Sequence, residues 1–177
     1  MASSWTALAQ GVAFPTSATA KTLFKLYNTH ATQKLNITRM WLINTQLTAV
    51  TGVFQTLSLG RYTTDQTTGL TAVTPIKHDT NDATTLTVSC GYAPTTSVTL
   101  VDTFAQFVRS GDEFATGVSK IENMYALPQL ALIFDSGYGD TNCTPIVLNT
   151  NEGIALTSAG VASGVGAYDI KCEFYVS

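Results

Sequence analysis

The sequence predicts an all-β fold, an antiparallel β-sandwich of jelly-roll type. Three observations carry this. Residues 167–177 alternate almost without error: Tyr168, Ile170, Cys172, Phe174 and Val176 share one parity, and Asp169, Lys171, Glu173, Tyr175 and Ser177 the other. Strand side chains point alternately to opposite faces, so this is a strand with one apolar and one polar face, clamped in a sheet. The rest of the chain reads as short β-type runs separated by Gly, Pro, Asn and Asp turns, with almost no helical periodicity. No repeat of 20–50 residues is present, which excludes a propeller or solenoid reading.

Along the chain, residues 1–20 read as an N-terminal arm. Trp5, Leu8, Val12 and Phe14 are apolar but hold no period, and Pro15 opens a loop-like TSATA. A frayed terminus is the bland reading. Docking on a neighbouring molecule is the favoured one, because large aromatics are costly to leave in water, and it makes these four residues interface candidates. Residues 21–177 then form a single β-sandwich domain. Thr22–Asn28 reads as a strand with Phe24 and Leu26 on one face. In Leu35–Asn44, Leu35 and Ile37 share a parity with Trp41 and Ile43, while Met40 and Leu42 take the other. Apolar residues on both faces make this strand central or doubly covered. Gly52–Tyr62 is a third long strand, with Val53, Leu57 and Leu59 on one face and Gln55 breaking the set.

Shorter strands are expected at Ala72–Lys77, Thr84–Cys90 and Ser97–Val101. Asp102–Arg109 fits a capped helical turn or an irregular strand, because short apolar runs do not separate the two. Gln129–Phe134 reads as a buried strand whose start Pro128 sets at an edge or bend. Strands at Pro145–Leu148 and Gly153–Thr157 precede the small-residue run 158–166 and the last strand.

Composition narrows function by exclusion. Apolar residues make up 45% of the 177, enough for one core. Charged residues are only 12%, against roughly 25% in average soluble domains. Either Thr supplies a neutral hydroxyl surface suited to strands, or other subunits cover much of it. The net charge is −3 and the nine basic residues are scattered. No cluster exists to neutralise phosphates or an anionic lipid surface, so neither nucleic acid nor membrane is an expected partner. No apolar run approaches the ~20 residues of a membrane span, and the first fifteen residues lack a signal-peptide pattern.

Catalytic signatures are missing: no GxSxG, GxxxxGK[ST] or HExxH occurs, and the glycine run 159–166 leads into a strand rather than a helix. The expectation is therefore a protein that is not an enzyme and has no cofactor or metal. His30 and His78 read as solvated loop residues. Two Asx-rich loops, Asp79/Asn81/Asp82 and Asp135/Asp140/Asn142, offer oxygen ligands for calcium, but self-capping turns are the bland reading. Asp112, Glu113 and Glu122 form acid pairs of the kind any β protein offers by chance. Cys90, Cys143 and Cys172 are widely spaced and odd in number, which speaks against a disulfide framework or zinc knuckle. The sequons at Asn36 and Asn142 mean little without a secretory signal.

Four stretches together resemble small all-β structural proteins of tailed-phage virions: KLYNTHATQKLNITRMWLINTQ (25–46), VTGVFQTLSLGRYT (50–63), TAVTPIKHDT (71–80) and NEGIALTSAGVASGVGAYDIKCEFYVS (151–177). The resemblance implies a capsid decoration, or cement, protein located on the virion and assembled in the host cytoplasm. It also implies a homotrimer and the major capsid protein as partner, with the arm gripping the shell. A receptor- or glycan-binding sandwich of a head or tail fibre is the alternative, with Tyr92, Tyr138, Asp135 and Asp140 as candidate loop-end residues.

Overall fold

The computed structural model describes residues 3–15, 19–45, 54–110, 130–137, 144–159 and 167–177. The chain is an all-β sandwich of two antiparallel sheets. In chain order the strands are β1 (Ser3–Ala13), β2 (Lys21–Asn28), β3 (Leu35–Asn44), β4 (Phe54–Tyr62), β5 (Thr71–Ala72), β6 (Ile76–Lys77), β7 (Val88–Tyr92), β8 (Asp102–Ser110), β9 (Leu130–Asp135), β10 (Ile146–Leu148), β11 (Gly153–Ala159) and β12 (Ala167–Val176). The first sheet runs β10-β3-β12-β1-β6, with β9 sharing the β10 edge of β3; the second runs β5-β7-β2-β11-β4-β8. The long strands alternate between sheets except for β4 and β8, which pair with each other, giving β1-β12-β3-β9/β10 packed on β2-β11-β4-β8. This is jelly-roll connectivity. Strands β5, β6 and β7 are an excursion between β4 and β8 that adds short strands to both sheets.

The alternation at residues 167–177 holds throughout. Tyr168, Ile170, Cys172, Phe174 and Val176 are all buried, and β12 lies between β1 and β3. Gln55, which breaks the apolar set of β4, is buried too and accepts a 2.9 Å hydrogen bond from Tyr168 Oη. A polar residue is tolerated there because the partner on the opposite sheet satisfies one of its groups.

The arm expectation is corrected. Residues 3–13 form β1, paired with β12 from Ser3↔Val176 to Ala13↔Ala167. Trp5, Val12 and Phe14 are core residues, and the Phe14 ring lies 4.4 Å from that of Tyr168. A β-bulge explains why no period is visible in the sequence. Trp5, Ala7 and Ala9 face the core at odd positions; the register shifts between Ala9 and Val12, with Gly11 at φ +63°, and the core positions become even.

A similar shift at Thr38 separates Leu35 and Ile37 from Trp41 and Ile43. Met40 and Leu42 face the core instead, while Trp41 and Ile43 are half-buried on the outer face. β3 is central, paired with β12 on one side and with β9 and β10 on the other, while the doubly covered strand is β2, where Thr22 to Asn28 are all buried. Asp102–Arg109 is strand β8. Ser97–Val101 makes no ladder: Val98 N donates to Thr22 Oγ1 (3.0 Å) and Thr22 N to Ser97 Oγ (3.3 Å), so side chains hold this segment over β2. Of Thr84–Cys90, only the end from Val88 pairs; of Ala72–Lys77, only β5 and β6 do.

Candidate functional site

The outer face of the second sheet carries the most developed polar cluster. Lys25 on β2 is wholly buried. Its ammonium forms an ion pair with Asp65 and donates to Ser89 Oγ at 2.8 Å. Beside it, Gly153 of β11 lies opposite Tyr27 on one side and Tyr62 on the other. The two rings close over the glycine with centroids 5.4 Å apart, and a Cβ there would collide with Tyr62. Tyr27 Oη donates to the Thr63 carbonyl at 3.0 Å, while buried Tyr62 Oη has no partner among the described residues. Burial raises both phenol pKa values, that of Tyr62 strongly. Val98, Ala155 and Leu100 complete this layer. Its parts lock the 63–101 excursion onto the sheet and present no accessible reactive group.

The Asx-rich loops are used internally. Asp79 Oδ1 accepts from Asn81 N at 2.9 Å, and Asp82 Oδ1 accepts from Thr84 N at 2.7 Å. Those Thr84 hydrogen bonds lower the Asp82 pKa to about 2. Asp135 accepts from Gly137 N and pairs with Arg39. No group of three His, Cys, Asp or Glu side chains able to hold a metal occurs among the described residues. His30 Nδ1 accepts from Thr32 N and Gln33 N, and His78 Nε2 lies 2.7 Å from Thr6 Oγ1 in a hydrogen bond. His30 therefore organises its own turn, and His78 ties the end of β6 to β1. Tyr92 packs half-buried against the core. Asp112, Glu113, Glu122, Tyr138, Asp140, Asn142 and Cys143 lie outside the described residues.

What the sequence reading missed is where apolar surface remains in contact with water. Among the described residues the exposed large hydrophobics are Leu8, Ile76, Val101, Phe104, Val108 and Leu132. All lie on or beside the lateral strands β6/β1, β9 and β8, and none on the central β12, β11 or β2. Phe104 and Val108 (44 and 67% exposed) lie on β8, and Val101 (62%) immediately precedes it. The clue was present as the uncharged run Thr103–Val108, but its position at a sheet edge follows only from the topology. Leu8 is the one interface candidate from 1–20 that remains at the surface; Trp5 is only 8% exposed.

The outer face of the first sheet carries a row across four strands, Leu8–Lys171–Trp41–Leu132, set by the ladder register. Lys171 Nζ sits 4.7 Å from the Trp41 ring centroid and 2.7 Å from Glu173. Comparison with known proteins finds no matching family model, no similar curated protein and no similar solved structure.

Proposed function

We propose that this chain is a structural protein of a tailed-phage virion, a capsid decoration protein that binds and stabilises the outer surface of the head shell as a symmetric homo-oligomer. Its partners on this reading are further copies of itself and the major capsid protein. A trimer is the oligomer that the resemblance implies. The observation that carries the proposal is the gathering of exposed apolar side chains on lateral strands of a chain with only 12% charged residues. Charge is depleted and apolar area retained where protein surfaces meet. A rigid jelly roll, with the excursion locked down by Lys25–Asp65, suits a part that reinforces a lattice. Each copy needs only modest contacts, because an oligomer bridging several shell subunits multiplies them.

The experiment is co-sedimentation of the purified protein with undecorated heads of the phage that encodes it. Saturable binding at a fixed ratio to shell subunits, with heads more resistant to heat, is the expected outcome. Heads that pellet without the protein at all concentrations tested would sink the proposal.

A further inference from the structure

We infer that β8 is a self-pairing edge, through which two copies join antiparallel about a twofold axis into one continuous sheet. The inference deepens the virion reading by naming a contact within the oligomer. The other lateral strands are shorter than β8, and β9, the longest of them, has six residues. β5 and β6 have two residues each, β10 has three, and Pro75 and Pro145 immediately precede β6 and flank β10. Proline lacks the donor a ladder needs, so such edges resist strand addition. β8 has nine residues with one bulge, at Phe104, pairs only with β4 among the described residues, and contains neither proline nor lysine. Thr103–Val108 is also free of charge. An edge this long and apolar is an open template unless something covers it.

The pattern of β8 favours a second copy as that cover. Antiparallel pairing centred on Gln106 places Phe104 of one copy opposite Val108 of the other, twice. The exposed apolar residues of the strand thus become cross-strand partners. Ala105 then faces Phe107 of the second copy, small against large on the inner side. Gln106 meets Gln106 on the axis, where each side chain, now 3.1 Å from Ser58 Oγ of its own β4, stays on the outer face. The contact is isologous, so it closes on itself and builds even-numbered assemblies, in place of the trimer that the resemblance implies.

The test uses the full chain in a Cys143→Ser background. Light scattering should give an even-numbered species. Val108→Lys, at an exposed position, should shift it to monomer at the same concentration with unchanged thermal unfolding. Gln106→Cys should form a covalent dimer on mild oxidation, because directly opposed Cα atoms in an antiparallel pair lie about 5.5 Å apart, within disulfide range. Exposed Gln10→Cys serves as control and should not. A monomer, an odd-numbered species, or an assembly that survives Val108→Lys and leaves Gln106→Cys uncross-linked overturns the inference. Head binding is read separately. A twofold dimer that ignores heads would defeat the virion reading alone, and a monomer that binds heads would defeat this contact alone.

Discussion

Lys25 and Asp65 form an ion pair in which the ammonium is wholly buried in β2 and the carboxylate arrives from the excursion that crosses outside the sheet. The pair joins two layers that the chain reaches by separate routes. Removing one partner leaves an uncompensated buried charge, which costs about 3–5 kcal/mol. Asp65→Ala should therefore lower stability to chemical denaturation by that order. The double variant Lys25→Met/Asp65→Leu should recover much of the loss, because neither charge is then left alone. A double variant no more stable than Asp65→Ala would show that the pair is not the source of the effect.

Tyr27 and Tyr62 flank Gly153 in similar positions but should answer differently to loss of the hydroxyl. Tyr27→Phe removes the bond to the Thr63 carbonyl and should cost about 1 kcal/mol. Tyr62→Phe removes a buried hydroxyl that has no partner among the described residues and should be neutral or stabilising. Gly153→Ala would drive a methyl into the Tyr62 ring. Overpacking of this kind should cost about 1–3 kcal/mol. Denaturant midpoints for the three variants check the ranking.

Burial raises the Cys90 thiol to about 12 and holds that of Cys172 well above its ordinary value. The nucleophile is the thiolate, so both should remain unlabelled by a thiol reagent at pH 8 in the folded protein and react once it is unfolded. Mass spectrometry of labelled peptides reads each site. Labelling of Cys172 under native conditions would mean that β12 opens readily.

Asp82 carries a folded-state pKa of about 2 against an ordinary 3.8, chiefly through its hydrogen bonds with Thr84. A lowered carboxyl pKa contributes stability that is complete above the unfolded value and is lost as pH falls through the folded one. Melting temperature should therefore lose this contribution between about pH 4 and pH 2, and Asp82→Asn should flatten that part of the profile. A profile unchanged by Asp82→Asn would place the acid sensitivity elsewhere.

The sheet architecture was legible where the two faces of a strand differ in chemistry, as in β12. It was illegible where a bulge moved the pattern to the other parity. In β1 the core positions pass from Trp5, Ala7 and Ala9 to Val12 and Phe14, and alanine marks a buried face poorly in any case. In β3 the shift at Thr38 put Trp41 outside rather than in a doubly covered strand. Ser97–Val101 has strand composition, but side-chain bonds to Thr22 hold it without a ladder. The lateral apolar surface of β8 depends on strand order, which arises from contacts between residues far apart in sequence. Local pattern cannot supply such order.

The position of β12 between β1 and β3 has a consequence for biosynthesis. Residues 167–176 leave the ribosome after the other described strands, yet they separate the first strand from the third. Until they emerge, the facing edges of β1 and β3 are both unsatisfied, and the first sheet exists only as two halves. The nascent chain must hold those edges apart, since premature joining would exclude the strand that belongs between them. Folding of this sheet therefore waits for β12 rather than proceeding strand by strand, and the interval before β12 emerges is when the chain is most exposed to mispairing with its neighbours.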